Sequence, residues 1–351
     1  MKIERKNSRS TSRVGIIANP ASGKDIRRLV SHATVTSNTE KTDILKRVIL
    51  GIDSTGVDEI LIMPDYYGLG IRALDALDHH PLSSRITMLD LEIQGDQEDS
   101  IQAAQIMKES GVDCIITLGG DGTNRVVSKT CGEVPLIPIS TGTNNVFPVM
   151  SDGTTAGMAA GILARKIVDS EEVTSRRKRI KLLRGGEEKD HALIDAVVVT
   201  ESFIGARALW DMQRIEQIFL TQAEPGSIGL SSIGAALKPV GVQDQFGLLI
   251  ELGPGRKVKA PIAPGLIMEV EVKSYRVLEP GERVPLTLAP SIIALDGERE
   301  IEINVADRFE MVLGMDGPKV GDISKILQGA VKRGFFWVEG KQNKTGGEGV
   351  K

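Results

Sequence analysis

Leu118-Gly119-Gly120-Asp121-Gly122-Thr123 is the most informative stretch of this chain. The apolar residues 112–117 before it predict a strand, and residues 124–129 after it predict a helix. Glycines allow left-handed backbone conformations and a close approach to phosphate, and the N–H groups at a helix start attract anions. The stretch therefore indicates phosphoryl transfer on a nucleotide. Asp121 is either a ligand of Mg²⁺ or the acceptor of a hydroxyl proton, and both roles are open. The expected phosphate-binding residues are Gly119, Gly120, Gly122 and Thr123.

Two other polar turns follow predicted strands. Asn19-Pro20-Ala21-Ser22-Gly23-Lys24 comes after residues 14–18, and Ser140-Thr141-Gly142-Thr143-Asn144-Asn145 comes after residues 134–139. The first lacks the spacing of a P-loop, and each by itself is also typical of an ordinary turn. Because ligands bind at the carboxyl ends of parallel strands, the three turns together favour a nucleotide site. The residues expected to bind the nucleotide are Asn19, Ser22, Gly23, Lys24, Thr141, Gly142 and Asn144.

The order of the predicted elements indicates the fold class. The first half alternates strand and helix signals, which predicts an α/β domain with a parallel sheet and helices on both faces. One of these helices begins at residue 39 and is expected to end at Gly51. The second half has short strands between Pro and Gly turns, which predicts a mainly antiparallel β domain. We expect one helix within it, at 206–219.

The order of the predicted elements also sets the expected domain limits. We expect a disordered tail at 1–13, an α/β nucleotide-binding domain at 14–150, a β-rich substrate domain at 151–322, a segment that returns to the first domain at 323–340, and a disordered tail at 341–351. The returning segment contains a predicted helix at 324–332. No internal repeat is visible.

Composition narrows the function classes. The 351 residues carry a net charge of −4 and 3% aromatic residues, which argues against a base-stacking nucleic-acid binder and against attraction to a membrane surface. No apolar run approaches the ~18 residues of a membrane span, and residues 1–13 lack the apolar segment of a secretory signal. Cys114 and Cys131 cannot by themselves form a zinc site and fit a reducing compartment.

Other charged residues are less informative. Asp296-Gly297-Glu298 lies between predicted strands, as a hairpin turn does. Asp195 lies in an otherwise apolar strand, and because a buried unpaired carboxylate is costly, it should have a partner or face a cleft. The basic run at 176–179 is typical of a solvated face, and a nucleotide contact is the less common alternative.

These motifs carry a family resemblance. Residues 19–24, 119–123 and 138–144 resemble the superfamily of NAD kinases, diacylglycerol kinases and sphingosine kinases. Within it, the chain is most similar to the acetoin catabolism protein X (AcoX) family, through residues 120–127, 140–148 and 226–230. The resemblance covers roughly residues 14–340.

The resemblance implies a nucleotide site between the two domains, with ATP as phosphoryl donor and Mg²⁺ as counter-ion. In NAD kinases the acid that matches Asp121 assists the acceptor hydroxyl, and in the lipid kinases an acid that matches Glu298 contributes. An Asn–acid pair that holds the NAD ribose matches Ile194 and Asp195, so the asparagine is lost. Asn124-Arg125 also replaces a pair that is usually apolar. The expected substrate contacts are Asp195 and Asn145.

The expected function is an ATP-dependent small-molecule kinase that resembles NAD kinase and is associated by resemblance with acetoin catabolism. Two alternatives are open, and the loss of the asparagine at position 194 motivates both of them. One is a kinase for a lipid or a sugar-like hydroxyl acceptor, and the other is a nucleotide-binding regulator without catalysis. The resemblance also implies a homo-oligomer in the cytoplasm, with NAD as a possible substrate.

Overall fold

The amino-terminal half alternates strands and helices, as its sequence predicts. The computed structural model describes residues 11–22, 36–142, 144–200, 212–288, 291–304 and 308–338. Within them the first elements are, in chain order, β1 (Arg13–Ala18), α1 (Asn38–Asp53), β2 (Glu59–Ile62), α2 (Leu69–Asp75), β3 (Arg85–Met88), α3 (Gln97–Glu109), β4 (Cys114–Gly119), α4 (Asp121–Ser128), β5 (Leu136–Ser140), α5 (Gly153–Ala164) and α6 (Ser170–Val173).

Five of these strands form a parallel sheet in the order β3-β2-β1-β4-β5. Two short strands, β17 (Lys319–Gly321) and β6 (Thr174–Arg176), extend it beyond β5, which makes seven strands among the described residues. The neighbouring residues Ile16 and Ile17 belong to two different apolar clusters, because side chains alternate across the sheet and both faces are covered. The predicted α/β domain with a parallel sheet is confirmed.

Glycines allow α1 and α5 to pack closely on one face of this sheet. Cβ atoms on Gly51 and Gly157 would overlap the backbone oxygens of Thr154 and Val48, respectively. Gly51 therefore lies inside α1, which continues for two more residues. The prediction that Gly51 ends the helix was wrong, because helix packing is what requires the missing side chain at this position.

The carboxyl-terminal half consists mainly of antiparallel strands, which confirms the second part of the predicted fold class. Its described elements are β7 (Arg179–Arg184), β8 (Glu187–Ala192), β9 (Asp195–Val199), β10 (Ile215–Leu220), α7 (Ser231–Leu237), β11 (Gly247–Ala263), β12 (Leu266–Leu278), β13 (Arg283–Pro285), β14 (Ser291–Leu295), β15 (Glu298–Ile303), β16 (Phe309–Gly314) and α8 (Ile323–Lys332). One sheet has the order β12-β11-β10-β9-β14-β15, and another has the order β13-β16-β7-β8. Ala196, Phe219 and Leu313 belong to a core that the two sheets share.

The helix predicted at 206–219 is wrong over its described part. Residues 206–211 lie outside the described residues, Met212–Arg214 form a 3-10 turn, and Ile215–Leu220 form β10. β10 lies between β9 and β11, and its last three residues are fully buried. Ile215, Ile218 and Phe219 have the i, i+3, i+4 spacing of a helix, and periodicity does not separate a short buried strand of this kind from a buried helix.

The last described helix packs on the core of the first domain. Ile326 and Ala330 of α8 belong to the apolar cluster that β1, α1 and α5 form. Because α5 belongs to the same cluster, the core of the α/β part includes residues beyond position 150. The domain limits stay predictions. No helix in the described ranges is long and apolar enough to cross a bilayer.

The described chain is ordered before residue 14. Ser12 Oγ donates to Asp58 Oδ2 at 2.6 Å, and Arg13 Nε donates to Glu59 Oε2 at 2.9 Å. Both residues were expected in the disordered lead-in, yet Arg13 is the first residue of β1, which lies between β2 and β4, and Ser12 directly precedes it. Residues 1–10 and the tail expected at 341–351 lie outside the described residues.

We expect Gly157→Ala to destabilise the protein, although alanine is the better helix former. The added methyl group would overlap the Val48 carbonyl oxygen, and backbone does not yield as the end of a flexible side chain does. Overpacking of this kind costs ~1–3 kcal/mol, against a gain of ~1 kcal/mol from helix propensity. Gly226→Ala is the matched control, because its methyl group would meet open space. Urea denaturation should separate the two variants, and equal midpoints would contradict the proposed packing.

Candidate functional site

Three polar turns meet at the carboxyl edge of the parallel sheet, where β1, β4 and β5 end side by side. The Asn19 backbone N–H donates to the Leu118 carbonyl oxygen at 3.0 Å, and Asn19 Nδ2 donates to Thr123 Oγ1 at 3.0 Å. The hydroxyl oxygens of Ser22 and Thr141 are 2.9 Å apart. The first turn is thus hydrogen-bonded to both of the others, so the structure brings together the three turns that the sequence singles out.

A buried lysine holds the first turn in place. Lys41 of α1 is fully buried, and its Nζ donates to the carbonyl oxygens of Asn19, Pro20 and Ser22 at 3.0, 3.0 and 2.6 Å. These carbonyl dipoles replace the water that a buried ammonium group loses. The sequence motifs did not single out Lys41, although its position in the helix is a signal. Lys41 lies one turn before the buried Leu45, on the apolar face of the helix.

The glycine turn is tightly packed. Gly119 is the last residue of β4, Gly120 precedes α4 with a φ of −102°, and Gly122 lies inside α4. A Cβ atom on Gly119 would lie 2.5 Å from the Thr123 side chain, and one on Gly120 would lie 2.8 Å from Asn145 Oδ1. None of the three glycines has the left-handed conformation expected of them, and their close approach to phosphate stays a prediction.

Asp121 connects the glycine turn to the third turn. Its Oδ1 accepts hydrogen bonds from the backbone N–H groups of Val146 and Phe147 at 3.0 and 2.8 Å, and its Oδ2 is 3.2 Å from the Val146 nitrogen. The residue is half-buried at the start of α4, where the helix dipole favours negative charge. Asp121 is therefore a carboxylate with a fixed orientation, which suits both of the roles predicted for it.

The two asparagines of the third turn have different surroundings. Asn145 Nδ2 donates to Ser140 Oγ at 2.8 Å and to the Gly142 carbonyl oxygen at 3.4 Å, so this side chain stabilises its own turn. Asn144 Oδ1 is buried and accepts no hydrogen bond from any residue that the structure describes. Buried acceptors are normally satisfied. Asn144 Oδ1 is therefore suited to a hydrogen-bond donor or a cation that a ligand supplies.

Ile194, which the family resemblance matches to a ribose-binding asparagine of NAD kinases, belongs to a small apolar cluster. It is 2% exposed and packs with Phe147, Leu193 and Val320. Its side chain therefore supports the third turn from behind and does not present a surface to a sugar. Asp195 follows this cluster directly, half-buried at the start of β9.

The Asp-Gly-Glu segment forms the predicted hairpin turn between β14 and β15. Asp296 and Gly297 have φ values of 50° and 82°, the left-handed conformation that a two-residue hairpin turn favours. Glu298 pairs with Leu295 across the turn. The Glu298 side chain lies outside the described part of the structure, and its catalytic role stays a prediction.

Asp296 is the acid of this hairpin that the structure connects to the site, and sequence analysis did not assign it a role. Its buried carboxylate accepts hydrogen bonds from the backbone N–H groups of Leu193, Ile194 and Asp195 at 2.8, 2.7 and 3.1 Å. Burial raises the pKa of Asp296, while these hydrogen bonds and the charge of Arg125 act in the opposite direction. The hairpin thereby fixes the backbone next to Asp195.

A buried ion pair joins α4 to the second domain. Arg125 is fully buried, and its Nη1 is 3.1 Å from both carboxylate oxygens of Asp190 in β8. Lys129 Nζ is 2.9 Å from Asp190 Oδ2. Burial alone would raise the pKa of Asp190, but the charges of Arg125 and Lys129 outweigh it and lower this pKa. An arginine at position 125, where NAD kinases usually have an apolar residue, was a sequence signal for this contact. The sequence around Asp190 contained no such signal.

A cavity of about 170 Å³ opens between the first turn and α4. Its walls include Asn19, Thr123, Asp65, Tyr66 and Asp99. Burial raises the pKa of Asp65. Drug-sized ligands occupy ~300 Å³ or more, so the cavity is too small for a whole nucleotide. Its acidic walls favour a sugar or a base over a phosphate group. The sequence contained no signal for Asp65, Tyr66 and Asp99, which line the cavity opposite the first turn and α4.

The site offers oxygen ligands for a metal ion without enclosing one. No group of three or more His, Cys, Asp or Glu residues in the described ranges could hold an ion. Mg²⁺ is usually bound by one or two carboxylates together with substrate phosphates and waters. Asp121 and the unsatisfied oxygen of Asn144 fit such an arrangement. Gly23 and Lys24, which complete the predicted phosphate contacts, lie outside the described residues.

The fold and the junction of turns define a kinase-like nucleotide-binding protein. The family model of the ATP-NAD kinase N-terminal domain matches residues 14–167, and that of the acetoin catabolism protein X C-terminal domain matches residues 178–316. Acetoin catabolism protein X of Cupriavidus necator is 39% identical over 312 residues, which cover 86% of this chain and 87% of that protein. The chain belongs to the acetoin catabolism protein X family, which confirms the resemblance.

Two further comparisons concern NAD kinases. The NAD kinase of Methanopyrus kandleri is 27% identical over 213 residues, which cover 59% of this chain and 66% of that protein. The crystal structure of yeast NADH kinase complexed with NADH superimposes with a TM-score of 0.48 at 12% identity, covering 95% of this chain and 90% of that chain.

We expect Arg125→Met to destabilise the protein by ~3 kcal/mol, because it leaves the Asp190 carboxylate buried without its main counter-charge. Adding Asp190→Asn should restore part of this loss, since no buried charge then remains unbalanced. Lys46→Met is the control, because it removes an exposed ion pair with Asp43, and such pairs contribute ~1 kcal/mol or less. Urea denaturation of the four proteins measures these differences, and a double variant no more stable than Arg125→Met would refute the pairing.

The lowered pKa of Asp190 also predicts a dependence on pH. A carboxyl group whose pKa is lower in the folded state contributes stability above its ordinary pKa of 3.8, and the contribution is lost as the pH falls through the folded-state pKa. The difference in unfolding free energy between wild type and Asp190→Asn should therefore be constant between about pH 5 and 7 and shrink below about pH 4. A difference that does not change with pH would show that Asp190 is not ionised in the pair.

Proposed function

We propose that this protein is an ATP-dependent phosphotransferase that phosphorylates a hydroxyl group of a nucleotide related to NAD. The junction of three turns supports this most directly, because it combines an oriented carboxylate, Asp121, with the hydroxyl groups of Ser22 and Thr141 and with closely approached glycine backbone. Phosphoryl transfer is catalysed mainly by positioning and by stabilisation of charge. Such a junction can supply both.

In the proposed reaction, Asp121 receives the proton of the acceptor. The hydroxyl oxygen forms a bond to the terminal phosphorus of ATP, the bond between that phosphorus and the bridging oxygen breaks, and ADP leaves. The hydroxyl proton passes to the Asp121 carboxylate, which Val146 and Phe147 hold in one orientation. Backbone N–H groups at the start of α4 orient the phosphates, together with Ser22, Thr141, Gly23 and Lys24.

Mg²⁺ would neutralise the phosphate charge when it is bound. Asp121 and Asn144 are the residues that would hold it, because both offer oxygen atoms at the junction. Asp121 cannot bind the metal and accept the proton with the same lone pair. Either its two carboxylate oxygens have one role each, or the two roles belong to different steps of the reaction.

In this proposal, Asp195 binds the sugar of the acceptor. Its backbone is fixed by Asp296 at 3.1 Å, and the family resemblance matches it to the acid that holds the NAD ribose. Because Ile194 is buried, a single acid replaces the Asn–acid pair, which weakens selection for NAD over other nucleotides. A place in acetoin catabolism, a cytoplasmic location and a homo-oligomer stay predictions that rest on family membership.

A nucleotide-binding regulator without catalysis is the second candidate. The observation that favours it is the pair of backbone N–H groups bound to Asp121, since a carboxylate engaged in this way also serves as a structural anchor for the third turn. This candidate predicts tight binding of ATP or NAD with no phosphorylated product. A lipid or sugar-like acceptor has no specific support among the described residues.

We expect Asp121→Asn to reduce ATP-dependent phosphorylation by a factor of ~10² to 10⁴, the usual contribution of a general base. The substitution keeps an oxygen that accepts from Val146 and Phe147, so the fold and the third turn should be retained. Product formation from NAD, NADH and a panel of nucleosides, followed by chromatography with ATP and Mg²⁺, measures the effect.

Asp152→Asn is the matched control, because Asp152 accepts a hydrogen bond from the Thr154 backbone N–H at the start of α5 and is not part of the junction. Its activity should equal that of the wild type. Unchanged turnover in Asp121→Asn would refute the catalytic assignment. Binding of nucleotides by wild type with no product from any acceptor would favour the regulator.

A further inference from the structure

The basic run Arg176-Arg177-Lys178-Arg179 contains four cations with very different surroundings. Arg176 forms an ion pair with Glu133, and Arg179 contacts two carboxylates. Lys178 is 3% exposed, and its Nζ donates to two backbone carbonyl oxygens, each at 2.9 Å. Burial lowers the pKa of Lys178 to about 8. Three of the four cations thus have close partners within the protein.

Arg177 is the exception. No carboxylate of the described residues lies within ion-pair distance of its guanidinium group, and its Nε is buried without a hydrogen-bond acceptor. Burial lowers the pKa of Arg177, while Glu224 and Asp322 act on it only through longer-range attraction. The guanidinium carbon lies 5.9 Å from the centroid of the Phe147 ring. An arginine that has lost water without gaining an anion is energetically unfavourable.

The backbone of Arg177 is rigidly placed. Its N–H donates to the Pro318 carbonyl oxygen at 3.0 Å, and its own carbonyl oxygen accepts from the Gly317 N–H at 3.0 Å. A Cβ atom on Gly317 would lie 2.6 Å from the Arg177 carbonyl oxygen, so the two segments are in direct contact. Arg177 also lies at the crossing between the sheets, one residue after β6 and two residues before β7. The cation is therefore held in a fixed position between the domains.

Phe147 connects this cation to the candidate site. The Phe147 ring faces Arg177, and the Phe147 backbone N–H donates to Asp121 at 2.8 Å. The unsatisfied oxygen of Asn144 belongs to the same turn, three residues earlier. Arg177, which has no close anionic partner among the described residues, thus lies beside Phe147, and Asn144 Oδ1, which accepts from none of them, lies three residues earlier. Both would be satisfied by a ligand that carries an anionic group and hydrogen-bond donors.

We propose that Arg177 binds a phosphate group of the nucleotide beside Phe147. A guanidinium group offers two parallel N–H donors to phosphate oxygens, and such contacts are about twice as strong as neutral hydrogen bonds. The proposal rests on the proposed function and adds a phosphate contact from the second half of the chain. Either the donor or the acceptor nucleotide can supply this phosphate, and the experiment below separates the two.

Calorimetric titration of the full chain tests the assignment, with ATP, NAD, inorganic pyrophosphate and adenosine as probes. Arg177→Met should weaken binding of a phosphate-bearing probe about tenfold or more and leave adenosine unchanged. Arg177→Lys should lie between the two, because the charge is kept and the fork of two donors is lost. Arg176→Met is the matched control and should bind every probe as wild type does. A loss for ATP alone identifies the donor phosphate, and a loss for NAD alone identifies the acceptor.

Thermal melting without ligand provides a second readout. Because Arg177 has no close anionic partner in the part of the chain that the structure describes, Arg177→Met should melt at or above the wild-type temperature and show a smaller shift on adding ATP or NAD. A lower melting temperature with unchanged binding would assign Arg177 a structural role and overturn the proposal. Wild-type affinity of Arg177→Met for all probes would overturn it as well.

Failure of the proposed function has a different signature. If pyrophosphate binding depends on Arg177 while no acceptor is phosphorylated, the phosphate contact stands and the phosphotransferase assignment falls. If the wild type phosphorylates an acceptor and Arg177→Met retains both its affinity and its turnover, the phosphotransferase assignment stands and the phosphate contact of Arg177 falls.

Discussion

Helix α4 carries two opposite charges, and the arrangement of the site depends on how both are neutralised. Asp121 at its start binds the backbone of the third turn, and Arg125 one turn later forms a fully buried pair with Asp190 of the second domain. Leaving one partner of the buried Arg125–Asp190 pair without the other is strongly unfavourable. The two domains and the third turn are therefore held in one arrangement around a single short helix.

Most contacts that shape the junction of turns are made to the backbone. Lys41 binds three carbonyl oxygens of the first turn, and Asp296 binds three N–H groups beside Asp195. Each of these side chains is buried, so each is obliged to find partners. Asn144 Oδ1 is a polar group that remains for a ligand.

The sequence predicted the polar turns and their meeting at one sheet edge, because Gly-rich turns after apolar strands are local patterns. It also predicted the fold class and most described elements. It did not predict β10, since a strand buried on both faces has no period-2 pattern. Lys41, Asp190 and Asp296 were missed for a different reason. Their importance depends on which backbone groups they meet after folding, and those groups are far away in sequence.

The amino-acid sequence by itself determined the alternation of strands and helices, the placement of glycines where the backbone is crowded, and a carboxylate at the start of a helix. Periodicity, steric size and the helix dipole act over a few residues, and local sequence encodes them. Only the tertiary structure decided that Ile194 packs in an apolar cluster and that Arg177 has no close anion among the described residues. Burial and charge pairing are set by neighbours on other elements, so they exist only once the sheets and helices have packed.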